Sequence, residues 1–166
     1  MLGTLIDTLT RWCAPWQAFY ADSRLTEIAV TSVHVVAMLL GGGFAVAADR
    51  LTLRTTRRDT TDRMAMLDEL QSVHRPVKIG LAALFASGVA LAASDVETFS
   101  ASPAFLVKLA LVALLSVNGL VMLRAERLLR RDPTDARWGT LRRVSWFSLM
   151  LWISTAVVGV VLVNAA

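Results

Sequence analysis

The chain has 166 residues, of which 55% are hydrophobic and 18% are charged, and its mean hydropathy is +0.57. This composition excludes an intrinsically disordered chain and exceeds the usual apolar share of a soluble domain. A formal net charge of +4 suggests nucleic-acid binding, but the placement of the basic residues, described below, argues against a nucleic-acid partner. The single cysteine, Cys13, excludes an internal disulfide and a cysteine-based metal cluster.

The first 22 residues predict an amphipathic helix that lies at the membrane interface. Asp7 and Arg11 interrupt the apolar core that a signal peptide requires, and Pro15 is expected to end the helix. The aromatic rings that follow favour the level of the lipid head groups. The apolar residues share one helical face and are Leu2, Leu5, Ile6, Leu9, Trp12, Cys13 and Trp16.

Four apolar segments follow, each about as long as a lipid bilayer is thick. Together they contain two lysines, Lys78 at the start of the second segment and Lys108 in the third, one histidine and no carboxylate. They predict an all-α fold, an integral membrane four-helix bundle in which residues 1–166 form a single membrane domain. The predicted spans are residues 28–48, 77–93, 104–123 and 144–163.

The basic residues predict the orientation of the bundle. Of the 17 lysines and arginines, seven lie between Asp49 and Lys78 and seven between Arg124 and Arg143, whereas the 95–103 connection has none. Short basic loops stay in the cytoplasm. We therefore expect both basic loops inside, in contact with anionic lipid head groups, and both termini outside.

Polar side chains within the spans are few, and an ionisable residue in a membrane segment is by default a candidate for function. His34 lies about 9 Å and Lys108 about 6 Å below the outer ends of their spans. Asp95 stands at the outer mouth, so these three side chains are expected to form one polar cluster. Asn118 lies deeper and is expected to bridge two helices.

The fourth span carries a polar seam at helical spacing, which is more typical of a buried helix contact than of a pore wall. Its residues are Ser145, Ser148, Trp152 and Thr155.

Two interpretations of His34 remain open. In the first it ligates haem b or copper, with Met38 one turn away as a second copper ligand. The only other histidine, His74, is offset by about 20 Å along the bundle, so one haem does not bridge the two. In the second, neutral His34 forms a hydrogen bond across the bundle to a backbone carbonyl, a serine or a threonine.

The motifs of hydrolases and phosphate-binding enzymes are missing from the sequence. The leading hypothesis is a non-enzymatic membrane protein, either an accessory subunit of a larger membrane complex or a small homo-oligomer. The alternative is a redox or metal protein that uses His34. A weaker alternative is a small transporter, which would need a polar path across the gap of about 15 Å between Lys108 and Asn118.

Four stretches resemble a bacterial family of four-span inner-membrane proteins that is distantly similar to the membrane domains of copper-resistance protein D. They are "VHVVAMLLGGGFAVAADRL", "RPVKIGLAALFASGVALAASD", "SPAFLVKLALVALLSVNGL" and the last span around Trp152. The resemblance implies a four-helix fold in the bacterial inner membrane. Relatives often carry a further histidine after the asparagine of span three, where this chain has Met122–Leu123. That departure weakens a metal or haem role.

Overall fold

The computed structural model describes residues 2–55 and 60–165, and within those ranges every regular element is an α-helix. The all-α expectation is confirmed. In chain order the helices are α1 (Leu2–Asp22), α2 (Arg24–Thr55), α3 (Thr60–Ser94), α4 (Val96–Ala101), α5 (Pro103–Arg131) and α6 (Asp135–Ala165).

Helices α2, α3, α5 and α6 are each long and apolar enough to cross a membrane. The chain is therefore a multi-pass integral membrane protein. With 29 to 35 residues each, these helices are about 43 Å long or longer, whereas the hydrocarbon core of a bilayer is about 30 Å thick. The helices consequently extend beyond the predicted spans.

The two ends of the bundle differ in character. One end, here called the basic end, carries the C-terminus of α2, the N-terminus of α3 and the turn between α5 and α6. The other end, the terminal end, carries α1 and α4, which contact each other. Between the ends, α3 packs on α2, α2 on α6, and α6 on α5. Helices α3 and α5 stand at the two ends of this row, and they meet each other through side chains at the basic end.

Near the middle of its length, α2 comes into close contact with α3 and α6 at two adjacent glycines. A Cβ atom added to Gly80 of α3 would lie 2.6 Å from the Cα atom of Gly41 on α2. A Cβ atom on Gly42 would lie 3.0 Å from the Trp152 ring of α6. In lipid the hydrophobic effect does not drive helices together, so they associate through close packing of this kind.

At the basic end, α3, α5 and α6 extend into a compact apolar cap. Arg130 of α5 closes its edge by pairing with Asp68 of α3 at 2.8 Å and donating to the Leu67 carbonyl. The cap shields the layer beneath it from water on that side. Its buried residues are Met66, Leu67, Leu70, Ala125, Leu129, Trp138 and Leu141.

Two expectations about prolines are wrong. Helix α1 continues through Pro15. The sequence after Arg50 predicts a separate cytoplasmic helix that starts at Asp59, Thr60 or Thr61, with Pro76 in the first turn of the second span, but α3 runs unbroken through Pro76. A proline removes one backbone hydrogen bond, but packing on both sides can hold the axis. Leu70 before Pro76 is anchored in the cap and Gly80 after it contacts α2. Of the expected starting residues, Asp59 lies outside the described residues, and α3 begins at Thr60.

Helix α1 is held against the terminal end of the bundle. The Trp16 indole Nε1–H donates to the Ala90 carbonyl of α3 at 2.9 Å. This hydrogen bond attaches the helical turn that follows Pro15 to α3. Leu5, Leu9 and Trp12 remain exposed. An exposed apolar face beside the terminal end is what an interfacial helix presents to lipid, and the interfacial location of residues 1–22 stays a prediction.

Candidate functional site

The polar side chains inside the bundle form two groups, and the first surrounds His34. His34 Nδ1 lies 3.0 Å from the Ser87 hydroxyl oxygen of α3. That hydroxyl donates to the Ala83 carbonyl at 2.7 Å, so its oxygen accepts a hydrogen bond from Nδ1–H. The proton on Nδ1 is assigned from these partners. The expected hydrogen bond of His34 across the bundle is therefore confirmed, with Ser87 as the partner.

Lys108 of α5 joins this group, here called the His34 cluster (His34, Ser87 and Lys108). Its charge acts on His34, and its Nζ atom would lie 3.6 Å from a Cβ atom added to Gly159 of α6. On α3, a Cβ atom at Gly88 would lie 3.4 Å from His34 Cε1. Gly88 on α3 leaves room for the His34 side chain, and Gly159 on α6 leaves room for that of Lys108. All four spanning helices therefore shape the His34 cluster.

Asp95 takes a different role from the one expected. It is the N-cap of α4, where its carboxylate accepts a hydrogen bond from the Thr98 backbone N–H at 3.0 Å. This hydrogen bond satisfies a backbone N–H group in the first turn of α4 that has no carbonyl partner within the helix. Among the described residues, Lys108 makes no ion pair with Asp95 or another carboxylate.

The donor set around His34 does not fit a haem with two axial ligands. His74 precedes Ser87 by 13 residues on α3 and so lies about 20 Å away along the helix axis. Met38, one turn along α2, is half-buried. In the described part of the chain, no three histidine, cysteine, aspartate or glutamate residues are grouped to hold a metal ion. His34 and Met38 alone fall short of a full copper ligand set.

The second group lies nearer the basic end and is centred on Asp49 of α2. Asp49 is 2% exposed. The hydroxyl groups of Ser148 and Ser145 on α6 interact with its carboxyl group by hydrogen bonding. Its Oδ2 atom is buried and has no hydrogen-bond partner among the described residues. A buried polar atom without a partner is costly and calls for an explanation.

A hydrogen-bonded pair lies beside Asp49. The Glu126 carboxylate of α5, 8% exposed, is 3.1 Å from His74 Nε2 of α3, and its charge acts on Asp49. Arg130 follows Glu126 after one turn of α5 and pairs with Asp68 at the edge of the cap. The Asp49 cluster thus comprises Asp49, Glu126, His74, Ser145 and Ser148.

Asn118 belongs to the level of the Asp49 cluster. Its Nδ2 donates to the Val144 carbonyl of α6 at 3.3 Å, which confirms the expected bridge between two helices. Ser145 lies 3.7 Å from the Met122 sulfur, one turn from Asn118 on α5. The polar seam on α6 is buried at Ser145, Ser148 and Trp152, as a helix contact should be.

An apolar layer separates the two clusters. His34 and Asp49 are about 22 Å apart along α2, and the segment from Val35 to Ala48 between them carries no polar side chain. The Gly41–Gly80 and Gly42–Trp152 contacts fill this layer. The polar path that a transporter needs is therefore interrupted along α2; on α6 the half-buried Thr155, whose hydroxyl donates to the Leu151 carbonyl at 2.7 Å, lies between Trp152 and Gly159.

Asp49 and Glu126 are the residues that sequence reasoning missed. The predicted first span ended at Ala48, one residue before Asp49, and the third ended three residues before Glu126. The missed signal is the helical spacing of Asp49, Thr52 and Thr55, which are all buried. These positions follow the apolar segment that ends at Ala48, and their spacing shows that α2 remains packed after that segment.

No family model, curated protein or solved structure matches the chain. The proposals below therefore depend on the residues of this chain and, for the bacterial inner membrane, on the resemblance of its four stretches.

Proposed function

We propose that this multi-pass membrane protein is a non-enzymatic subunit that acts by assembly, in a small homo-oligomer or as an accessory subunit of a larger membrane complex. The observation that carries this proposal is the position of α5 at the edge of the row of helices. It packs against α6 and meets α3 through Glu126 and Arg130 towards the basic end, whereas the face around Gly119 in its apolar part is uncovered.

Helix α5 is the least covered of the spanning helices. Of its most apolar 18 residues, 6% are buried, compared with 28% for α6. A Cβ atom added to Gly119, in the membrane-spanning part of α5, would meet no atom within 4 Å. Small residues at exposed positions let a second helix approach closely. Gly119 therefore supplies a contact surface that the monomer itself does not use.

The two polar clusters support a packing role. The His34–Ser87 contact joins α2 to α3, the His74–Glu126 contact joins α3 to α5, and the Asn118–Val144 contact joins α5 to α6. Polar groups in a bilayer stabilise a bundle when they bind one another in this way. Their separation by the apolar layer favours a scaffold over a transporter.

The proposed setting is a bacterial inner membrane, with the basic end in the cytoplasm and both termini outside. The arginines and lysines of the basic end would then contact anionic lipid head groups. This arrangement accounts for the net charge of +4 without a nucleic-acid partner.

The test is native mass spectrometry of the protein in nanodiscs of its own lipids. We expect a small homo-oligomer, or a complex of defined mass with a second protein, that Gly119→Leu disrupts. Gly43→Leu on α2 is the matched control, because a Cβ atom there also meets nothing within 4 Å. A monomer for the wild type, or equal effects of the two substitutions, would contradict the proposal.

A further inference from the structure

We propose that Asp49 is a proton-binding site in the half of the bundle nearer the basic end, occupied by a single proton on its buried carboxyl group. The Asp49 Oδ2 atom is buried and has no hydrogen-bond partner in the described part of the chain. The residue is 2% exposed. A carboxylate held in this way is stabilised by a cation or by protonation.

The surroundings favour a proton over a larger cation. Divalent ions take about six or more oxygen ligands in proteins. Around Asp49 the described residues supply its own carboxyl group and the hydroxyls of Ser145 and Ser148. No three histidine, cysteine or acidic residues gather there in the described chain to hold a metal. A proton needs no such coordination shell.

Each helix packed against Asp49 contributes identifiable groups. Helix α6 presents the two serine hydroxyls, and α5 presents the Glu126 carboxylate. Helix α3 presents His74, which is bonded to Glu126. On α2 itself, the Thr52 hydroxyl donates to the Ala48 carbonyl at 3.0 Å and not to Asp49. The charge that acts on Asp49 is therefore negative, which makes a second negative charge there less favourable.

The His74–Glu126 pair supplies a route for the proton from the basic end. The His74 side chain is 29% exposed and that of Glu126 is 8% exposed, so the pair passes from the surface towards the interior. Imidazole and carboxyl groups both accept and release protons. His74 and Glu126 thus place two groups of this kind between the surface at the basic end and the side of the bundle that holds Asp49.

Infrared difference spectroscopy tests the site in the full-length protein in lipid nanodiscs. A protonated carboxylic acid has a C=O stretching band that a carboxylate lacks. We expect one such band to disappear reversibly as the pH rises, and to be missing from Asp49→Asn. Asp68→Asn, which removes the largely exposed carboxylate at the edge of the cap, is the matched control and should keep the band.

Two further arms make the result decisive. If Asp49→Asn does not fold, Ser148→Ala retains the acid and removes one hydrogen-bond donor, so the band should shift in frequency; an unshifted band would overturn the assignment to Asp49. Replacing potassium with sodium at constant pH should leave the band unchanged. Loss of the band in sodium would assign the site to the sodium ion and overturn the proton proposal, as would a band that persists in Asp49→Asn.

Discussion

Gly41 and Gly80 bring the backbones of α2 and α3 into direct contact, so closely that a Cβ atom on Gly80 would lie 2.6 Å from Gly41 Cα and 2.7 Å from its nitrogen. The neighbouring atoms belong to a backbone and not to the end of a flexible side chain. The two helices must therefore separate if either glycine gains a side chain.

The first prediction concerns this contact. Gly80→Ala should destabilise the bundle by about 1–3 kcal/mol, as overpacking does in a close-packed interior. Gly43→Ala should be nearly neutral, because a Cβ atom there meets nothing within 4 Å. Reversible unfolding of both variants in bicelles measures the difference. Equal stability of the two variants would show that α2 and α3 do not pack at this point.

The second prediction concerns His34. Because its Nδ1 pairs with Ser87 at 3.0 Å, His34→Gln should retain a donor and leave the fold intact. A double-mutant cycle between His34→Leu and Ser87→Ala should give a coupling of about 0.6–2 kcal/mol, the usual range for hydrogen bonds between helices in a membrane. The purified wild type should show no Soret band. A Soret band or bound copper that is lost in His34→Gln would instead make His34 a ligand.

The third prediction compares two side-chain pairs, one buried and one exposed. His74→Ala leaves Glu126, 8% exposed, without its imidazole partner, and should cost about 1.5–3 kcal/mol, as expected for a hydrogen bond to a charged group. Asp135→Ala breaks the Arg63–Asp135 pair, whose aspartate side chain is 96% exposed, and should cost at most about 1 kcal/mol. Unfolding free energies of the two variants measure both effects. A larger loss in Asp135→Ala would contradict the burial of the His74–Glu126 pair.

The sequence predicted the four spans and their helical character because hydrophobic length is a property of each segment alone. One of its two interpretations of His34, a hydrogen bond across the bundle to a backbone carbonyl, a serine or a threonine, agrees with the contact to Ser87. It did not identify Ser87 as that partner, because the register of α2 against α3 is set by the Gly41–Gly80 contact. Such a register depends on two segments at once.

Asp49 was missed for a related reason. Hydropathy ends a span where the first charge appears, but the helices stay packed beyond that point and bury Asp49 and Glu126. Asp95 illustrates the reverse case. Its carboxylate stands near the expected mouth but serves the Thr98 N–H within its own short helix, and local capping of this kind competes with longer-range pairing.

The fourth prediction concerns orientation. In a Cys13→Ala background, Ser100→Cys in α4 and Thr134→Cys in the α5–α6 turn lie at opposite ends of the bundle. A membrane-impermeant thiol reagent should label Ser100→Cys in intact cells and should label Thr134→Cys only after lysis, because basic loops are retained in the cytoplasm. Labelling of Thr134→Cys in intact cells would reverse the proposed orientation.

The most direct test of the proposal that this protein acts by assembly through α5 is disulfide cross-linking in native membranes. In the Cys13→Ala background, Gly119→Cys should form a cross-linked species on mild oxidation, at twice the monomer mass for a homo-oligomer or at a defined larger mass for a partner with a nearby thiol. Gly43→Cys, equally free of neighbours on α2, should remain monomeric. If Gly119→Cys remains monomeric, or if both variants cross-link to the same extent, α5 is not the assembly surface and the proposal is wrong.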